Sequence, residues 1–324
     1  MDKLRVGVIG VGHLGQHHAR LYSQFSDVQL MGITDLDPDR ASVIGQQHGV
    51  AVIPDMEALL KLVDAVSVAV PTSYHRAVVM RCLEAGVHVL VEKPLASLVE
   101  DAQAMVHFAN QQGLTLQVGH VERFNPIMDV IRGIVRAPGF IECHRLAPYQ
   151  LRGTDVDVVL DLMIHDLDLI LSLKLGDAKK VEAVGVAVLS SRVDFANARV
   201  EFSDGCIVSF TASRMSTGRL RKMRLFQSDL YLSVDYQSRQ GIVYRRVQAA
   251  SQESTVVEES IRGNEEEPLK RELLAFVQSI QTGISSGVSG EEGLAAMELA
   301  QKIIASIHKT SAPDRLIQGA GVSF

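Results

Sequence analysis

The chain has 324 residues, more than a single hydrophobic core ordinarily serves, so two domains are expected. Apolar residues make up 47% and charged ones 22%, ordinary globular proportions, and the net charge of −6 argues against nucleic acid as a partner. With no apolar run of spanning length and no charged-then-apolar leader, the chain reads as cytoplasmic, without a membrane partner.

Short apolar runs at Leu4 to Ile9, Val28 to Thr34, Ala51 to Ile53, Ala65 to Val70, Val87 to Val91 and Leu114 to Val118 alternate with helical patterns. The patterns lie near 15–25, 38–48, 55–62, 75–85 and 97–112. Apolar runs separated by helices predict a parallel, doubly wound sheet, a Rossmann domain over residues 1–120. Residues 121–324 change character and read as an α+β domain. A long helix is expected from Thr154 to Leu173. Val193 to Phe202 alternates, Asp204-Gly205 is a hairpin turn, and Cys206 to Ala212 resumes the strand pattern. Further strands are expected at 220–227, 230–236 and 241–247. Two helices close the chain: Leu269, Leu273, Phe276 and Ile280 share one face, and Ser289 with Glu292 forms a capping box. Cys82, Cys143 and Cys206 lack CxxC spacing and are expected as small buried hydrophobes.

Gly10-Val11-Gly12-His13-Leu14-Gly15 stands between the first apolar run and the first helix, and Asp35 ends the second run. In such a turn the first glycine permits the bend, the second lets backbone approach a pyrophosphate and the third packs helix on strand. The acid can hold a ribose 2′-hydroxyl and would repel a 2′-phosphate, and Leu36 and Asp37 offer no cation, so NAD is favoured over NADP. Ligands of open α/β sheets bind beyond the carboxyl ends of the strands, where Pro71, Thr72, His75, Glu92, Lys93 and Gly119-His120 collect. Lys93 is the candidate there for chemistry. Burial at a strand end can lower its pKa and Pro94 restricts its backbone, although a lysine in that place can also simply reach to solvent.

The helix from Thr154 is apolar almost all round except for Asp157, Asp161, His165 and Asp168, which recur at three- and four-residue steps. A helix buried on its other sides presents such a stripe to a cleft, where Asp161 can orient His165 and make it a proton carrier. A solvated acidic stripe is the other reading. Zinc would need ligands the sequence does not place, so no metal is expected. Arg214, Arg219, Arg221, Lys222 and Arg224 could meet a diphosphate or line an exposed strand.

The glycine turn, Glu92-Lys93-Pro94 after its strand, and Asp161 and His165 four apart on a helix together resemble the glucose-fructose oxidoreductase and inositol dehydrogenase (Gfo/Idh/MocA) family. The resemblance implies a largely antiparallel open sheet in the second domain, a face that often makes the contact of a homodimer or homotetramer, and a cis Lys93-Pro94 peptide. It implies that Lys93 binds the reacting hydroxyl, Asp161 binds substrate and positions His165, and His165 is the general base in an NAD-dependent oxidation of a secondary sugar or inositol alcohol. Gly119 to Pro126 with Asp161 to Asp166 is similar to bacterial members that oxidise the 3-hydroxyl of UDP-N-acetylglucosamine, which makes His120, Arg123 and Asn125 candidate substrate contacts. Asn125-Pro126 can equally start the next helix. A non-catalytic NAD-binding regulator is the alternative from another class, and the joint presence of Lys93, Asp161 and His165 argues against it.

Overall fold

A computed structural model of the chain describes residues 3–150, 156–248 and 254–310. Its opening elements follow the run-and-helix alternation: β1 (Leu4–Ile9), α1 (Gly15–Tyr22), β2 (Val28–Thr34), α2 (Pro38–His48), α3 (Met56–Leu60), β3 (Ala65–Val68), α4 (His75–Glu84), β4 (His88–Glu92), α5 (Val99–Gln112) and β5 (Leu116–Gly119). The strands form one parallel sheet in the order β2-β1-β3-β4-β5, so the winding reverses at β1 and β3. Local chemistry sets the helix ends. Pro38 pre-sets the first turn of α2, the Asp37 carboxylate accepts from Arg40 N, and Gly49 ends the helix with a φ of 63°. The expected strand at Ala51–Ile53 is reduced to a single parallel bridge between Val52 and Ile33, because Pro54 follows at once and carries no N–H to extend a ladder.

The chain continues through α6 (Ile127–Ile134), β6 (Pro138–Leu146), a π-helical turn at Val159–Met163 that runs into α7 (Ile164–Leu171), and then β7 (Ala178–Val186), β8 (Phe195–Phe202), β9 (Ile207–Ser213), β10 (Leu220–Gln227), β11 (Leu230–Asp235), β12 (Gln240–Gln248) and β13 (Ser254–Arg262). Eight strands form a second sheet, β13-β12-β11-β10-β6-β9-β8-β7, antiparallel throughout except for the parallel β6–β9 pair. The start expected at Thr154 lies outside the described residues; the helix is seen from Val159. The chain ends in α8 (Pro268–Thr282) and α9 (Gly290–Thr310). At the start of α9 the Ser289 N–H donates to Glu292 Oε2 at 3.0 Å and the Glu292 N–H donates to Ser289 Oγ at 3.3 Å, the reciprocal box read from the sequence.

Two compact units result: Met1–Met128 with Asn264–Met297, and Asp129–Gly263 with Glu298–Phe324. Residues 264–297, which the sequence reading places with 121–324, belong to the first unit because α8 carries part of its core. Leu273, Phe276 and Val277 lie in one buried cluster with Val6, Val8, Tyr22 and Ile33. The Gln117 amide donates to Ser279 Oγ at 2.7 Å, and Val118 N donates to Val288 O at 3.0 Å. Fully burying one such aliphatic or aromatic side chain is worth about 1.5–3 kcal/mol, so losing α8 would strip several such contributions. In the second unit the inward residues Ile141, Cys143, Val200, Phe210, Met223 and Leu225 are buried, and the π turn packs on β6 and β9.

Candidate active site

The glycine turn after β1 is shaped by contacts on two sides and by open space on the third. Gly10 has a φ of 83°, and a Cβ there would stand 2.8 Å from the Ala69 carbonyl oxygen; a Cβ at Gly15 would overlap the Gly10 carbonyl oxygen. A Cβ at Gly12 would meet nothing within 4 Å, so the protein itself does not require glycine there, whereas close approach of a diphosphate does. Leu14 caps α1 without a side-chain hydrogen bond, and the first helical turn has no acid. An uncapped positive helix end beside open backbone fits the pyrophosphate of a dinucleotide.

Asp35 closes this corner. Its Oδ2 accepts from Val11 N at 2.8 Å and its Oδ1 from Asp37 N at 2.9 Å, which ties the acid after β2 to the glycine turn. The reading from sequence considers only Leu36 and Asp37 for a cation, and the structure supplies one further along the chain. Arg40, one helical turn into α2, places Nη1 3.4 Å from Asp35 Oδ1 and donates from Nη2 to Asp37 Oδ2 at 2.9 Å. The Asp37 cap with an i,i+3 arginine is the local signal that could have revealed it.

At the end of β4, Glu92 is buried, Lys93 is half-buried, and the Lys93-Pro94 peptide is cis. Glu92 Oε1 lies 3.1 Å from Nε2 of His18, which is buried on α1. Burial pushes the Glu92 carboxyl up, but the His18 hydrogen bond and the charges of His18, Lys93 and His75 hold it below the usual carboxylate value. Glu92 also pairs across the sheet with Gly119, where a Cβ would stand 3.1 Å from the Glu92 Cα. Pro71 is exposed and Thr72 begins a short 3-10 turn at Thr72–Tyr74. His75 follows, only 1% exposed, with Nδ1 2.8 Å from Pro94 O and Nε2 3.0 Å from Val70 O.

Beyond β5 lie the three residues read from the sequence as substrate contacts, all in the first unit. His120 and Asn125 are buried; Asn125 Oδ1 accepts from Ile127 N at 3.3 Å, which starts α6. Arg123 donates to Glu292 Oε1 at 2.5 Å.

In the second unit, the apolar sides expected of this helix are largely buried, at Val158, Val159, Met163, Ile164, Leu167 and Ile170. Its polar stripe divides. Asp161 and His165 stay partly exposed, Asp168 is buried, and Asp157 accepts from Val193 N at 3.0 Å. Asp161 sits in the π turn, whose wider winding advances each residue by less than an α-helix, bringing Asp161 and His165 closer to one line along the axis. Arg145 of β6 grips the adjacent Asp166 with two parallel hydrogen bonds, Nε to Oδ2 at 3.1 Å and Nη2 to Oδ1 at 2.7 Å, both side chains buried. Of the basic set, Arg214 is buried and donates from Nη2 to the Val156 and Val193 carbonyls at 2.7 and 3.0 Å, with Nε 3.1 Å from Asp194. Arg224 pairs with Glu142 at 3.3 Å. The three cysteines are buried as expected, and burial pushes the Cys82 and Cys206 thiols up to about 12.

A doubly wound sheet with this glycine turn and acid, joined by sequence to an open antiparallel sheet, defines an NAD-binding oxidoreductase. A family model described as the oxidoreductase family, NAD-binding Rossmann fold, matches residues 4–120, and one described as the GFO/IDH/MocA C-terminal domain matches residues 144–230. The chain is 41% identical over 76% of its length, and 78% of the relative's, to a UDP-N-acetylglucosamine 3-dehydrogenase of Acidithiobacillus ferrooxidans. It is 27% identical over 91% of its length, and 94% of the relative's, to a myo-inositol 2-dehydrogenase of Thermotoga maritima. A solved structure of the Acidithiobacillus ferrooxidans enzyme superposes with a TM-score of 0.89 over 95% of this chain and 99% of that one, at 35% identity. The chain belongs to the Gfo/Idh/MocA oxidoreductase family and is a dehydrogenase acting on a CH–OH group.

Proposed function

We propose that the protein oxidises the 3-hydroxyl of UDP-N-acetylglucosamine with NAD⁺. The observation that carries this reading is the 41% identity to a relative named for that reaction, over 76% of the chain. Bound NAD⁺ would accept the hydride leaving the sugar carbon. Gly10, Gly12, His13, Leu14, Gly15 and Asp35 would hold the dinucleotide, with Pro71 and Thr72 at the same carboxyl edge of the sheet. Lys93 binds the reacting hydroxyl and stabilises the developing alkoxide; His165 takes the proton; Asp161 binds the sugar and orients His165. Because a remote nucleotide contributes binding energy that positions the ring, free N-acetylglucosamine should turn over far more slowly than the nucleotide sugar.

The test compares UDP-N-acetylglucosamine, N-acetylglucosamine and myo-inositol by NADH formation, with the keto product identified by mass and NMR after capture by an amine donor and aminotransferase. Equal or faster turnover of a free sugar or inositol rejects the nucleotide-sugar assignment. It would favour the second reading, an inositol or free-sugar dehydrogenase, which the 27% identity to the Thermotoga maritima enzyme supports. Lys93→Met and His165→Asn should each lower turnover strongly while NADH still binds; wild-type turnover in either removes that residue from the chemistry. Homo-oligomerisation through the second sheet is part of the same reading. It is supported by a row of neighbouring rings at Phe140, Phe226, Tyr231 and Tyr244, with centroids 4.9–6.0 Å apart, of which Phe226 and Tyr244 are exposed.

A further inference from the structure

We propose that His18 and His75 are positioning residues that grip the Glu92-Lys93-Pro94 segment from its two flanks and so aim Lys93. The proposal rests on the reading of Lys93 as the group that binds the reacting hydroxyl. Three observations in the first unit carry it. On one flank, His18 Nε2 lies 3.1 Å from Glu92 Oε1 with both side chains buried, and an ionised carboxylate can only accept, so Nε2 is the donor. On the other flank, His75 Nδ1 lies 2.8 Å from Pro94 O and Nε2 lies 3.0 Å from Val70 O. Both partners are carbonyls, which also only accept, and it is the Nδ1 contact, to Pro94 O, that reaches the segment carrying Lys93. Between them Gly119 lets the β5 backbone lie directly against Glu92, so the segment is confined from a third side.

Lys93 itself remains half-buried while its neighbours on both sides are buried. A long, flexible side chain acquires a fixed direction only if its Cα–Cβ vector is fixed. Two hydrogen bonds to the residues before and after it fix that vector without consuming the ammonium. His18 also follows Gly15 by three residues, so the turn that receives the dinucleotide and the strand end that carries the lysine are joined through one buried pair.

The two grips use different ring nitrogens, and this yields a crossed test. Glutamine places its amide near the Nε2 position of histidine and asparagine near Nδ1. At position 18 the Nε2 donor is needed, so His18→Asn should have a kcat at least about tenfold below that of His18→Gln. At position 75 the Nδ1 donor to Pro94 is needed, so His75→Gln should lie at least about tenfold below His75→Asn. In all four variants the NADH Kd should stay within about threefold of wild type, because the grip orients Lys93 rather than the dinucleotide.

The same preference at both positions, or equal kcat in all four variants, overturns the proposal. So does a raised NADH Kd with kcat preserved, which would make these residues cofactor contacts. Nitrogen-15 spectra of the wild-type histidine rings provide a readout that does not depend on a variant folding: His18 should carry its proton on Nε2 and His75 on Nδ1, and a bare nitrogen at either position is fatal to the idea. Lys93→Met separates this from the underlying reading. Turnover in that variant rejects Lys93 itself, whereas a dead Lys93→Met without the crossed pattern rejects only the grip.

Discussion

At Asp35 both carboxylate oxygens already accept backbone N–H groups, and Arg40 stands 3.4 Å from one of them. The acid opposes a 2′-phosphate while the arginine would welcome one, so the preference for NAD depends on a balance between two neighbours rather than on a missing cation. Asp35→Ser alone should therefore move the ratio of NAD to NADP affinity toward NADP, by about tenfold or more, and adding Arg40→Ala should reverse most of that gain. Calorimetric Kd values for the two cofactors check this, and an unchanged ratio in Asp35→Ser removes the acid from discrimination. Gly12 allows a cleaner separation of fold from binding. Since a methyl there meets only open space, Gly12→Ala should change stability by no more than about 0.5 kcal/mol yet weaken NADH binding by about tenfold or more, as read by thermal melting and fluorescence titration. Gly15→Ala should fail at the level of folding, because its methyl would collide with the Gly10 carbonyl.

At the scale of elements, the helix bearing Asp161 and His165 is held by buried ionic chemistry. Asp194, completely buried at the head of β8, accepts N–H groups from Val188, Leu189 and Ser190 at 2.6–2.9 Å, and the Ser190 hydroxyl. Burial alone would raise its pKa, but these donors hold it at about 2, below the ordinary 3.8. Its stabilising contribution is therefore complete above about pH 4 and is lost as pH falls toward 2. Wild type should lose thermal stability across that window, and Asp194→Asn, already destabilised at neutral pH, should show a shallower decline; parallel melting curves would contradict this. A second buried ion pair, Arg145–Asp166, explains part of what the sequence hid. β6 was illegible because one of its inward positions is Arg145, spent on Asp166, which breaks the apolar alternation. β7 and β13 are the outer strands of their sheet, and β7 has almost no buried face to mark. The parallel strands were legible because both faces are covered, and the glycine turn and Asp35 because spacing alone encodes their chemistry. Arg40 is marked locally by the Asp37 cap, whereas the His18–Glu92 pair and the internal engagement of Arg123 needed tertiary contacts.

At the scale of the whole molecule, the NAD-binding unit is assembled from two stretches of chain, ending at Met128 and resuming at Asn264. A fragment ending at residue 128 lacks Leu273, Phe276 and Val277 from its core and the Ser279 partner of Gln117. It should melt well below the intact protein and bind NADH weakly, and fusing residues 264–297 back to it through a flexible linker should restore both. Equal stability of the short fragment would show α8 to be an accessory. The arrangement also sets an order of events at the ribosome. The parallel sheet emerges first but lacks part of its core until residue 297 has left the exit tunnel, and at about 5–20 residues per second the intervening chain takes roughly ten to thirty seconds to make. For that interval the nascent sheet carries an apolar groove awaiting a helix not yet translated, which makes this half of the enzyme, the one that emerges first, the natural client of a chaperone.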